Sequence, residues 1–183
     1  MEKARQQAGA MEAKRRADNA KKVREAADQL FPGEKWKNVE EGIYLSPRRP
    51  VGKNSNYKDE LRDAQILRDL GSSVYLVPES RRQPGKKYDA IVNGMKFEFK
   101  NMRGKANDTL IDHFYKSREQ APNVFINLEE SPLSKERILR VLYGARNSHK
   151  YNDYNKYQEG GKLILKIKGY DNLEYLDIND MKK

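Results

Sequence analysis

Residues 88–100 read Tyr-Asp-Ala-Ile-Val-Asn-Gly-Met-Lys-Phe-Glu-Phe-Lys. Asn93-Gly94 between two apolar runs is the strongest local signal in the chain. A two-residue hairpin turn needs positive φ at both positions, and this dipeptide tolerates it. Once the turn is placed, the register follows: Val92 faces Met95, Ile91 faces Lys96, Ala90 faces Phe97 and Asp89 faces Glu98. Side chains alternate along a strand, so Asp89, Glu98 and Lys100 share one face. Directly opposed residues hold their Cβ atoms about 4.5–5.5 Å apart. Two carboxylates at that distance need solvent, a shared proton or a cation between them.

The partner class follows from charge. The chain has 183 residues, a formal net charge of +10 and a pI near 9.6. That balance favours a polyanion, nucleic acid before membrane. Hydrophobic residues make up 37% and charged residues 35%, with a mean hydropathy of −1.03. This is polar enough to expect exposed helix or loop beside the core. The chain has no cysteine, which excludes a disulfide framework, a thiolate zinc site and a cysteine nucleophile. It suits a reducing cytosol, or a protein that unfolds and refolds during delivery. There is no apolar run of about 18 residues for a membrane span, and no apolar signal-peptide core at the N-terminus.

Residues 1–30, rich in Ala, Lys, Arg, Gln and Glu, predict a long helix whose apolar stripe (Met11, Val23, Leu30) is too thin to be buried. Phe31-Pro32-Gly33 ends it. Residues 1–30 are therefore an exposed lead-in, and 31–183 form the functional domain. Short strand character at Gly42-Ile43-Tyr44-Leu45 lies in an otherwise irregular 34–56, where Ser46-Pro47-Arg48-Arg49-Pro50 is loop chemistry. Residues 57–70 read as a helix, with Ser55 or Asn56 as cap and Gly71 as stop. Strands are expected at 74–77 and 124–128, helices at 107–121 (capped by Asn107 or Asp108) and 134–146, and a closing hairpin around Gly169. The order predicts a mixed α/β domain.

Within the 57–70 helix, Glu60 lies in the arc of Tyr57, Leu61, Ala64 and Leu67. A glutamate on the apolar face must reach solvent at the core's edge, be paired, or bind a cation. A helix glutamate, a strand, then Asp-x8-Glu-x-Lys on a hairpin resembles the PD-(D/E)xK nuclease superfamily, with Tyr88 in place of the eponymous proline. Adding the helix ending Glu119-Gln120-Ala121 and the strand Asn123-Val124-Phe125-Ile126-Asn127-Leu128, residues 55–130 resemble the CdiA C-terminal tRNA-nuclease toxin domains of contact-dependent growth inhibition.

The resemblance implies a restriction-endonuclease-like mixed sheet flanked by helices, and a metal-dependent nuclease with Glu60, Asp89, Glu98 and Lys100 as catalytic residues. Asp89, Glu98 and Glu60 would hold Mg²⁺ or Mn²⁺, with the Phe99 carbonyl as a further ligand and Glu60 beside a second metal or a metal-bound water. Hard oxygen donors suit these ions. Lys100, favoured in its charged form by two carboxylates, is an electrostatic stabiliser before a general base. Gln120 would lie near the site. The resemblance also implies tRNA as substrate, action in a target-cell cytoplasm after delivery, and a cognate immunity protein. Arg81, Arg82, Lys86, Lys87, Arg103 and Lys105 are phosphate-gripping candidates. Tyr143, Tyr151, Tyr154 and Tyr157, interleaved with Arg146, Lys150 and Lys156, suit either stacking on unpaired bases or a tyrosine-rich connection. DNA cleavage by the same fold is one alternative. A metal-independent ribonuclease using His113 or His149 is another, and a basic binding module without catalysis is a third.

Overall fold

A computed structural model describes residues 2–52, 55–78, 88–152 and 160–181. Eight strands form one mixed sheet in chain order. Helix α1 (Glu2–Leu30) leads into β1 (Lys37–Glu40) and β2 (Ile43–Leu45); α2 (Tyr57–Asp69) and β3 (Val74–Leu76) follow. The hairpin is β4 (Ala90–Val92) and β5 (Met95–Asn101), followed by α3 (Asn107–Gln120), β6 (Asn123–Leu128), α4 (Lys135–Arg146) and the short α5 (His149–Asn152). Strands β7 (Lys162–Ile167) and β8 (Glu174–Asp177) close the sheet. Neighbours pair in parallel at β2/β3, β5/β6 and β6/β7 and antiparallel elsewhere. No described helix is long and apolar enough to cross a membrane.

The hairpin has the expected register: Ala90 pairs Phe97, Ile91 pairs Lys96 and Val92 pairs Met95. Asn93 and Gly94 have φ of 50° and 84°, the left-handed pair that a primed turn requires. The Asn93 side chain pins the turn, accepting from Ser73 N at 2.9 Å and donating to Ser72 Oγ at 3.1 Å.

Alternation along the strands builds two faces. Val74, Leu76, Ala90, Val92, Phe97 and Phe99 meet Ala64 and Leu67 of α2 on one face. On the other, Tyr75, Val77 and Ile91 pack against Val23 and Ala27 of α1 and against Trp36. Val124, Ile126 and Leu128 lie under α3 and α4. Ile91 pairs Lys96, and Glu98 pairs Val124, so α1 and α3/α4 cover the same side of the sheet. Lys96, Glu98 and Lys100 are the polar strip between those two apolar clusters.

Three local expectations are corrected. The last turns of α1 bury one face while the other stays exposed: Val23 is 3% exposed and Ala27 fully buried. The aromatic partners Trp36, Tyr75, Phe31 and Tyr88 supply the apolar area that the helix lacks, and Trp36 Nε1 donates to Asp28 Oδ1 at 3.0 Å. Residues 37–40 form an exposed edge strand, folded onto β2 by a turn at Gly42 with φ of 77°. Helix α3 is entered from Ala106 in extended conformation with no side-chain cap, so neither Asn107 nor Asp108 caps it.

Candidate functional site

Asp89 immediately precedes β4, and its carboxylate folds back onto β5. Oδ2 accepts from Phe99 N at 3.0 Å, while Asp89 N donates to Phe97 O at 3.0 Å. This brings Asp89 beside Glu98 as the register requires. Glu98 is 2% exposed. Its Oε1 accepts from Lys100 Nζ and, at 3.0 Å, from Gln120 Nε2 at the end of α3. Its Oε2 is buried with no hydrogen-bond partner.

That environment raises the Glu98 pKa from 4.5 to about 8, through burial first and the Asp89 charge second, against the opposing pull of Lys100. With no cation present, that direction favours a proton on one of the two facing carboxylates. A divalent cation would replace that proton. The donor set fits one: Mg²⁺ keeps several waters and takes one or two carboxylates, and the Asp89 carboxylate stands close enough to raise the Glu98 pKa by its charge and by a hydrogen bond between the two. Asp89 and Glu98 would hold the ion.

Glu60 is 5% exposed, inward on α2 as its helical position predicts. It does not join the other two carboxylates in a cluster. Among the described residues, no group of three or more His, Cys, Asp and Glu side chains is spaced to hold a metal. Arg49 stands between instead. Its Nε donates to Glu60 Oε2 at 2.9 Å, and its Nη2 pairs with the same oxygen and reaches Asp89 Oδ1 at 3.5 Å. Its Nη1 donates to Val77 O and, at 3.3 Å, to Asp89 O. Sequence reasoning missed Arg49, which falls in a proline-flanked loop where arginine is normally solvated.

A second buried acid, Asp63, lies one helical turn after Glu60. Asn127 Nδ2 donates to Oδ1 at 2.8 Å and Asn101 Nδ2 to Oδ2 at 2.7 Å. Burial nonetheless pushes its carboxyl up to about 7. The same helical spacing that exposed Glu60 as inward applies to Asp63 and could have found it.

Of the basic candidates, Arg103 is bound to Asp59 at 3.0 Å and to Glu130 at 2.9 Å, which offsets its charge. Lys105 is exposed. Arg81, Arg82, Lys86 and Lys87 lie outside the described residues, as do Tyr154, Lys156 and Tyr157. Tyr151 belongs to the core, stacked on Phe114 with centroids 5.5 Å apart and receiving Arg118 Nε on its hydroxyl at 3.1 Å. His113 is half-buried on α3, and its pKa is lowered by burial and by the Lys100 and Lys116 ammonium groups. His149 is exposed.

Residues 86–156, from just before Asp89 to beyond α5, match the family model of the contact-dependent growth inhibition CdiA C-terminal domain. Over those residues the chain is similar to that family's domain. A solved CdiA-CT/CdiI toxin and immunity complex from Burkholderia pseudomallei contains a chain of similar fold. It is 22% identical with a TM-score of 0.51, over 73% of this chain and 98% of that one. No curated protein matches. The family match contains Asp89, Glu98, Lys100 and Gln120, and leaves Arg49 and Glu60 outside it.

Proposed function

We propose that this chain is a metal-dependent nuclease of the PD-(D/E)xK type, a CdiA-like toxin that hydrolyses RNA phosphodiesters after delivery into a target bacterium. The observation that carries the proposal is the buried Glu98 carboxyl, one oxygen without a partner, beside Asp89 on a hairpin with Lys100 in register. A divalent cation bound there would supply a Lewis acid for the scissile phosphate and lower the pKa of a bound water. Asp89 and Glu98 fix the position of that chemistry. Gln120 orients Glu98 by holding Oε1. Lys100, bonded to Glu98 Oε1, offsets negative charge developing on the phosphate. The net charge of +10 favours the polyanion. The choice of tRNA follows the toxin-family resemblance, as does a cognate immunity protein of acidic surface covering the site.

The test is incubation with total RNA and with plasmid DNA, each with Mg²⁺ and with EDTA, for the wild type, Asp89→Ala and Lys100→Ala. Cleavage of RNA should need Mg²⁺ and fall at least a hundredfold in both variants. Mg²⁺-dependent cleavage that survives in either variant refutes the assignment, and cleavage of plasmid alone moves the substrate to DNA. A second reading is favoured by one observation: burial first, then the nearby Lys100 and Lys116, lower the pKa of His113, the direction that suits a proton acceptor. EDTA-resistant cleavage lost in His113→Ala would select a metal-independent ribonuclease.

A further inference from the structure

The proline-flanked loop before α2 delivers a cation where the nuclease resemblance calls for a metal. We propose that Arg49 is a resident cation of the site, occupying the position between Glu60 and Asp89, so that the centre takes one divalent ion rather than two. This rests on the metal-nuclease reading above and specifies how many metals the site admits.

The loop holds Arg49 firmly. Ser46 N donates to Leu76 O and Arg49 N to Ser46 O, both at 3.0 Å. Ser46 Oγ donates to the buried Glu34 Oε1 at 2.8 Å, and Arg48 pairs with the other oxygen of Glu34. Pro50 restricts the backbone of Arg49 to extended conformations. The side chain is 1% exposed, so it cannot leave without opening the loop. All three of its nitrogens are engaged, on Glu60, Asp89 and the Val77 carbonyl.

A guanidinium does not deprotonate in a protein, so it is a permanent positive charge at this place. A divalent ion on Glu60 Oε2 would lose the bond from Arg49 Nε and sit directly against that charge. The charge balance agrees. Glu60, Asp89 and Glu98 carry three negative charges when ionised, and Arg49 and Lys100 return two positive ones. One divalent ion then leaves a single positive charge to meet one phosphodiester. Two would leave three. Glu60 is accordingly a positioning residue that holds Arg49, and the metal ligands are Asp89 and Glu98.

The test counts bound Mn²⁺ by electron paramagnetic resonance of the free ion, on chains whose folding is checked by thermal melting. Wild type should bind one Mn²⁺. Glu60→Gln, which keeps an oxygen for Arg49, should bind one with affinity within about threefold, whereas Asp89→Asn should lose tenfold or more. Arg49→Met should gain a second Mn²⁺, and Arg49→Met combined with Glu60→Gln should lose it again, a response that a purely structural role would not give. Two Mn²⁺ on wild type, loss of Mn²⁺ in Glu60→Gln, or a folded Arg49→Met that still binds one overturns the proposal and leaves the metal-nuclease reading standing. No Mn²⁺ on wild type overturns both. If Arg49→Met does not fold, the wild-type count and Glu60→Gln decide.

Discussion

Replacing Glu98 by Gln should make the protein more stable and inactive, with the stabilisation growing as pH rises. The Glu98 carboxyl has an ordinary value of 4.5 and is raised to about 8 in the folded chain. Its folded value lies above its unfolded one, so the folded state favours the proton. The stability this lends is fully present below about pH 4.5 and is lost as pH climbs through about 8. A gap of about 3.5 pH units at about 1.4 kcal/mol each sets a ceiling near 5 kcal/mol. Relaxation and water entry around a buried charge reduce this ceiling, so about 2 kcal/mol is the working figure, or roughly 4–8 °C in melting temperature for a chain of this size. Gln does not titrate. Its Oε1 can keep the bonds from Lys100 and Gln120, and its amide nitrogen then occupies the partnerless position, where it can donate towards Asp89. Thermal unfolding of both proteins in EDTA at several pH values from 4.5 to 9 measures the difference. It should be small at pH 4.5 and reach its maximum above pH 8. A difference independent of pH, or a Gln variant that melts lower at pH 8.5, refutes the electrostatic account of Glu98.

Three further outcomes are expected. Ala27→Asp, at a fully buried position against the Tyr75, Val77 and Ile91 cluster, should cost about 3 kcal/mol or more in urea unfolding by burying an unpaired charge; an unchanged midpoint would show that the end of α1 is not part of the fold. Tyr151→Phe removes the acceptor of Arg118 Nε and should cost about 1–3 kcal/mol, while RNA cleavage per folded molecule stays within twofold of wild type; a selective loss of cleavage would return Tyr151 to the nucleic-acid surface. Gly161→Ala should abolish folded protein on circular dichroism, because a Cβ there would collide with the Pro122 carbonyl at a φ of +96°.

How much of the site could be read depended on whether local physics decided it. The Asn93-Gly94 turn sets its own register, and Glu60 is inward because helical spacing puts it there. Both readings needed only a few neighbouring residues. Arg49 was invisible because its partners, Glu60, Val77 and Asp89, come from three separate segments, and nothing in Ser-Pro-Arg-Arg-Pro marks one arginine as buried. The end of α1 misled for a related reason. A helix with one valine and one alanine facing inward is a poor core element by itself, yet Trp36, Tyr75 and Phe31 bury it. β1 is a polar, exposed edge whose pairing depends on the turn at Gly42 more than on strand propensity.

The buried acids also separate structural carboxylates from the one that calls for a ligand. Glu34 is held by Ser46 and Arg48, Glu60 by Arg49, and Asp63 by two asparagine amides. Each is a buried acceptor whose donors come with the fold, as buried polar groups ordinarily require. Glu98 departs from that rule at one atom: among the described residues, Oε2 is the only buried carboxylate oxygen without a donor. Ionised, this carboxylate is destabilised by burial and by the Asp89 charge. Lys100 and Gln120 both bond Oε1. A fold that supplies donors to three other buried acids and withholds one from this oxygen favours a proton there, or a hard cation in the proton's place.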